Sequence, residues 1–187
     1  MRFQKAFFAV AVLGVALLFS GHCGWAGSPA YLELEGVNQG VIQGSCEIEG
    51  REGTIVAYSL GHNVTVPTDP ASGLPTGRRV HNPLKILKEI DKSSPRLYQA
   101  LVTGERLAKF ILRFYRINDE GREEHYFTIQ LEDAVIVSMT PSFPTAFLSQ
   151  NESYRHMETV AFVYRKITWT WEPDGIESQD DWRAPVT

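Results

Sequence analysis

The sequence predicts a mainly β fold, a barrel or a sandwich, with one short α-helix and one long loop. Short runs of alternating apolar and polar residues recur from Ala30 onwards, each closed by glycine or proline, and strands at such spacing are those of barrels and sandwiches. A single run carries helix start and stop signals. One connection, Thr68 to Pro83, is far longer than the about 4–6 residues that usually join elements of a compact domain.

Residues 1–26 differ in kind from the rest of the chain. Arg2 and Lys5 precede an uninterrupted apolar run from Ala6 to Phe19, and small residues gather around Gly24, Ala26 and Gly27. This is the three-part layout of a secretory signal peptide. The run is shorter than the about 20 residues of a membrane span. His22 stands before Cys23, where a lipidation signal has a small residue. Residues 27–187 show no internal repeat and no second composition regime, and they read as one domain. Cys46 is its sole cysteine, which leaves no intramolecular disulfide. No cationic cluster adjoins it to lower its pKa, so a half-buried structural thiol is expected.

The first strand is Ala30 to Glu35, where Leu32 and Leu34 share one face against Glu33 and Glu35, and Gly36 ends it. Similar runs follow at Ser45 to Glu49, Gly53 to Leu60, His62 to Val66 and Leu84 to Ile90. Ser93-Ser94-Pro95 then offers a capping hydroxyl and a proline suited to the first helical turn, while Leu97, Tyr98 and Leu101 recur at helical spacing. A helix over Pro95 to Thr103, stopped by Gly104, is predicted. Leu107 to Ile117 is a strand, Asn118 to Gly121 a hairpin turn, and His125 to Ser138 the return strand. Pro141 and Pro144 interrupt. One long strand from Thr159 to Trp171 and a polar tail with Asp180, Asp181 and Trp182 complete the chain.

Chemistry is hard to find. The net charge of −4 and the absence of basic blocks argue against a nucleic-acid partner. Histidines 22, 62, 81, 125 and 156 have none of the short spacings of zinc ligands, so neither metal nor cofactor is expected. No G-x-S-x-G or phosphate loop occurs. The carboxylate pairs Glu132-Asp133 and Glu123-Glu124 are neighbours along strands and point to opposite faces. Trp169 and Trp171 alternate with threonines, as a stacking platform or a core-facing strand would. No catalytic residue is nominated.

The segments together resemble a known family, the Hcp proteins that form the tail tube of bacterial type VI secretion systems. The likeness runs through Ala30-Tyr31-Leu32-Glu33-Leu34-Glu35-Gly36, then Val66-Pro67-Thr68-Asp69-Pro70 and Arg79-Val80-His81-Asn82-Pro83-Leu84 in the long loop. It continues in Asp91-Lys92-Ser93-Ser94-Pro95, Glu124-His125-Tyr126-Phe127-Thr128-Ile129, Leu131-Glu132-Asp133-Ala134, Tyr164-Arg165-Lys166-Ile167-Thr168-Trp169 and Asp180-Asp181-Trp182-Arg183. The resemblance implies a two-sheet β-barrel with one flanking helix and a long extended loop. It implies homohexameric rings stacked into a tube, effectors carried in the lumen, sheath and spike proteins as partners, and no enzymatic activity.

On that reading the loop is an assembly element. Thr68, Asp69, Pro70, Arg78, Arg79 and His81 are its candidate contact residues, with the two arginines meeting acidic groups of a neighbouring copy. Export runs through the secretion apparatus, whereas the signal-like segment points to the periplasm. An over-long gene start or a periplasmic offshoot would reconcile them. The competing function is a periplasmic or secreted ligand-binding β-sandwich that uses the Trp169 and Trp171 face.

Overall fold

The computed structural model describes residues 27–184. The signal-like segment, residues 1–26, lies outside the described residues. The barrel is built from six strands: β1 (Ala30–Gly36), β3 (Ile55–Gly61), β6 (Leu84–Glu89), β7 (Arg106–Ile117), β9 (Ala134–Ser142) and β10 (Met157–Val163). Their order is β7-β9-β10-β6-β3-β1, and the barrel closes where β1 pairs antiparallel with β7, Ala30 opposite Phe114 and Leu34 opposite Phe110. A wing of β8 (Glu123–Glu132), β11 (Lys166–Trp171) and β12 (Ile176–Asp181) extends from the distal half of β7. The short strand β2 (Gly40–Val41) and the short pair of β4 (Val64–Thr65) with β5 (Val80–His81) complete the β structure. The fold is thus mainly β, as the alternation implies.

Strand alternation places the core. Leu32, Leu34, Ile55, Leu84, Ile86, Phe110, Leu112 and Phe162 are buried inside the barrel, each such side chain contributing about 1.5–3 kcal/mol by leaving water. Phe110 meets Phe162 edge to face at 5.0 Å between ring centres. Outward residues pair on the surface instead: Glu33 of β1 binds Lys109 and Arg113 of β7.

The helix α1 (Ser94–Thr103) packs Leu97 and Ala100 inward, against β9. Gly104 ends it in the left-handed region, φ 63°. Its N–H reaches the Leu101 carbonyl at 3.2 Å and that of Glu105 the Ala100 carbonyl at 2.9 Å, the paired closure that favours glycine. The expected serine cap is not made. Ser93 donates its hydroxyl to Asp91 at 2.5 Å, and Ser94 donates to Glu158 at 2.7 Å. A buried cation draws them away. Lys88, 1% exposed, sits on β6 among Glu158 (2.7 Å), Asp91 (2.9 Å), Ser94 (3.2 Å) and the Glu89 carbonyl (2.7 Å).

Several boundaries differ from expectation. Ser45 to Glu49 is a loop, because Gly44 crosses the chain where a Cβ would come 2.3 Å from the Thr54 carbonyl oxygen. The strand expected over His125 to Ser138 is two, parted at Asp133, whose φ is 51°. β9 then runs through Pro141. Past Val135 it pairs with β10 alone, so a residue lacking N–H is tolerated as on an edge strand. The long strand over Thr159 to Trp171 also divides, at Tyr164 and Arg165, since β10 serves the barrel and β11 the wing. The polar tail forms β12, paired along its whole length with β11.

Candidate functional site

The long loop is an arm with its own hydrogen bonds. Its stem pairs Val64 with His81 and Thr65 with Val80, so the strand expected over His62 to Val66 shrinks to two residues. Thr68 bridges to Pro75 near the tip. Asp69 organises the turn: its carboxylate accepts the Ser72 hydroxyl at 2.7 Å and the Ala71 N–H at 3.1 Å, and its carbonyl accepts the Gly73 N–H at 2.8 Å. The Ser72 bond first, then that from Ala71, holds the Asp69 carboxyl below the ordinary carboxylate range. Pro70 and Arg78 face solvent. So do Val66, Leu74 and Val80, of which Leu74 is 65% exposed.

The base of the arm is bolted to the wing. The Arg79 guanidinium binds the Asp180 carboxylate through Nε and the Asp181 carbonyl at 2.8 Å. His81 lies 2.7 Å from Asp180 through Nε2 and 2.8 Å from the Tyr164 hydroxyl through Nδ1. His62 Nε2 approaches that hydroxyl at 2.6 Å. Every group is satisfied when His81 donates from Nε2 to Asp180, Tyr164 donates to His81, and His62 donates to Tyr164. The His81 ring stacks on Trp169, at 6.4 Å and 25°, and leans on Trp182 at 5.1 Å. The bond from Arg79 is the main cause that lowers the Asp180 pKa. Burial, and then the Asp180 charge, push Tyr164 up, which is the opposite of activating a nucleophile. Burial, and then His81, hold His62 below the usual imidazole range.

Of the residues nominated from sequence, Arg79 and His81 therefore come together on Asp180, while Thr68, Asp69 and Pro70 lie at the tip. Arg79 finds its carboxylate within the chain. Arg78 makes no ion pair among the described residues. Asp180, Tyr164 and His62 were not nominated. Their partners lie 83 to 102 residues away in sequence, and the only hint was that Asp180 and Tyr164 stood in family-like segments.

The tryptophan face is engaged. Trp169 packs against the core; Trp171 carries Arg116 over its ring at 4.9 Å and donates its indole N–H to Asp174 at 3.0 Å. Among the described residues no group of three or more His, Cys, Asp or Glu side chains is placed to hold a metal ion.

Known proteins share this architecture. The family described as "Type VI secretion system effector, Hcp" matches residues 31–171. The chain is 43% identical over 168 residues to the "Major exported protein" of Pseudomonas aeruginosa, covering 85% of this chain and 98% of that one. The crystal structure of an Hcp protein superposes with a TM-score of 0.78 at 37% identity, covering 84% of this chain and 99% of the other. A variant of the Hcp1 protein from the Escherichia coli EAEC 042 pathovar does so with a TM-score of 0.73 at 37% identity, over 82% and 98%. A family match over most of the chain, together with a relative of 43% identity covered almost end to end, shows that this chain belongs to the Hcp family of type VI secretion system proteins.

Proposed function

We propose that this protein is a tail-tube subunit, in which six copies close into a ring, rings stack into a tube, and effectors travel in the lumen inside a sheath and behind a spike. It acts by assembly and carriage, not catalysis, and leaves the cell through the apparatus. Residues 27–187 are the assembling domain.

The observation that carries the reading is the arm. Residues 64–81 leave the barrel surface, present Leu74 and Arg78 to solvent, and are fixed at the base by Arg79 and His81 on Asp180. A projecting segment whose root is rigid, whose tip turn is fixed by Asp69 and which exposes Leu74 is suited to a neighbouring copy, because little freedom is lost on docking. Since Arg79 is committed to Asp180, Arg78 is the arginine available to a neighbour's acidic groups. A second feature supports it: β12 pairs with β11 alone and offers a free row of main-chain groups, which suits a contact between unlike surfaces of identical copies.

Light scattering coupled to size exclusion tests the reading. Wild type should elute with six times the mass of one chain, or as stacks of that particle. The double variant L74D/R78E should keep the thermal transition and lose the stacks. A wild type that stays monomeric across the accessible concentration range would overturn the proposal.

A further inference from the structure

The segment between β9 and β10 presents an apolar group to solvent. Phe147 is 98% exposed, Tyr154 64%, and Phe143 63%, with Leu148 beside them. Scattered apolar side chains are ordinary on a surface, but four on one short connection form a patch that calls for a partner. Its polar residues add one free charge. Arg155 is tied to Glu89, whereas Glu152 makes no ion pair among the described residues.

A complementary surface lies on the same molecule. At the start of β9 and the end of β10 a pocket of about 350 Å³ opens where barrel and wing meet, a volume within the small-ligand range of about 300–1,000 Å³. Val135, Val163, Tyr164 and Trp182 form its apolar wall, and Arg106, Arg165 and Arg183 line it together with the single carboxylate of Asp133, which Arg165 holds at 2.6 Å. Arg106 is 68% exposed, with Asp133 as its nearest carboxylate at 3.9 Å. The rim thus carries three guanidinium groups against one carboxylate, an excess of positive charge able to lie over an aromatic ring.

The two surfaces cannot meet within one chain. The 143–156 segment leaves β9 after Ser142 and enters β10 at Met157, while the pocket sits beside Val135 and Val163 at the other end of that hairpin. At ~3.4 Å per residue the separation is roughly 25 Å.

We propose that the 143–156 segment of one copy seats Phe147 in this pocket of the next copy, with Glu152 facing Arg106 and Arg183. Knob and pocket are different surfaces, so the contact is heterologous and repeats beyond a dimer. It lies along the β9–β10 hairpin and brings the end that bears the segment against the end that bears the arm. The inference rests on the reading of the chain as a stacking subunit and names a contact that does the stacking.

The test uses the full chain with Cys23 changed to serine; Cys46 is buried and stays. Cysteines replace the solvent-facing Phe147 and the 38% exposed Val163, so the fold is not at stake. A short bismaleimide should convert F147C/V163C into a ladder of dimers, trimers and higher species, while either single variant gives dimers at most. In sedimentation velocity F147D should retain the wild-type thermal transition and lose the stacked species. Stacks unchanged in F147D, together with no ladder from the double variant, overturn the contact and leave the tube reading intact. A wild type that never associates overturns both.

Discussion

Among single residues, Lys88 shows best how burial sets energy. Its ammonium has four oxygen partners and 1% exposure, and Glu158 opposite is equally buried. Among the described residues no buried side-chain nitrogen or oxygen is left without a partner, so the site is satisfied as it stands. Removing one half is another matter. K88M fits the stem but strands the Glu158 carboxylate, and breaking such a pair typically costs about 3–5 kcal/mol. Against a total of about 5–15 kcal/mol for a domain, that is a large share. Urea unfolding of K88M should show a midpoint well below wild type. K88M/E158L should recover part of the loss, because an apolar pair of similar volume escapes the desolvation penalty. Equal midpoints for K88M and wild type would mean that the network contributes nothing.

At the scale of elements, the arm and the wing depend on one carboxylate. Asp180 receives Arg79 and His81 together, and its folded pKa lies below the ordinary 3.8 chiefly through the Arg79 bond. A carboxylate lowered by folding stabilises above its unfolded pKa, and the contribution is lost as pH falls through the folded value. In D180N that contribution is missing at every pH. The Tm difference between wild type and D180N should therefore be greatest near neutrality and shrink below about pH 4; a difference that does not change with pH would contradict the role given to Asp180. This junction also marks the limit of what local sequence pattern reveals. β1, β3, β6 and β7 were legible because alternation and burial coincide, and α1 because Pro95 and Gly104 punctuate it. The divisions at Asp133 and at Tyr164 with Arg165 carry no glycine or proline; they arise because one run serves both the barrel and the wing. β12 looks like a tail because an edge strand in water can be polar on both faces. The cluster of His62, His81, Tyr164 and Asp180 joins segments far apart in sequence, beyond the reach of any local spacing rule.

For the whole molecule, closure separates stability from assembly. Six strands pair around the barrel, with only β9 past Val135 left without a second neighbour, while the wing keeps β12 as a free edge along its whole length and the arm stands off the body. The apolar core lies in the barrel, beneath α1 and under the wing through Ile129, Leu131 and Ile167, and nothing between Pro67 and Arg78 belongs to it. The arm can therefore be shortened without opening the core. Replacing Pro67 to Arg78 by Asn-Gly joins the β4–β5 stem through a two-residue turn, the commonest tight hairpin, and keeps Arg79 on Asp180. Loop closure costs only about 0.6 kcal/mol per doubling of length, so the shorter chain should melt at or slightly above the wild-type temperature in calorimetry. On the proposed assembly role of the arm, its stacks should be absent from electron micrographs, because the tip that would meet a neighbouring copy is gone. A lower melting temperature would place the arm within the cooperative fold; tubes of ordinary length would remove it from assembly.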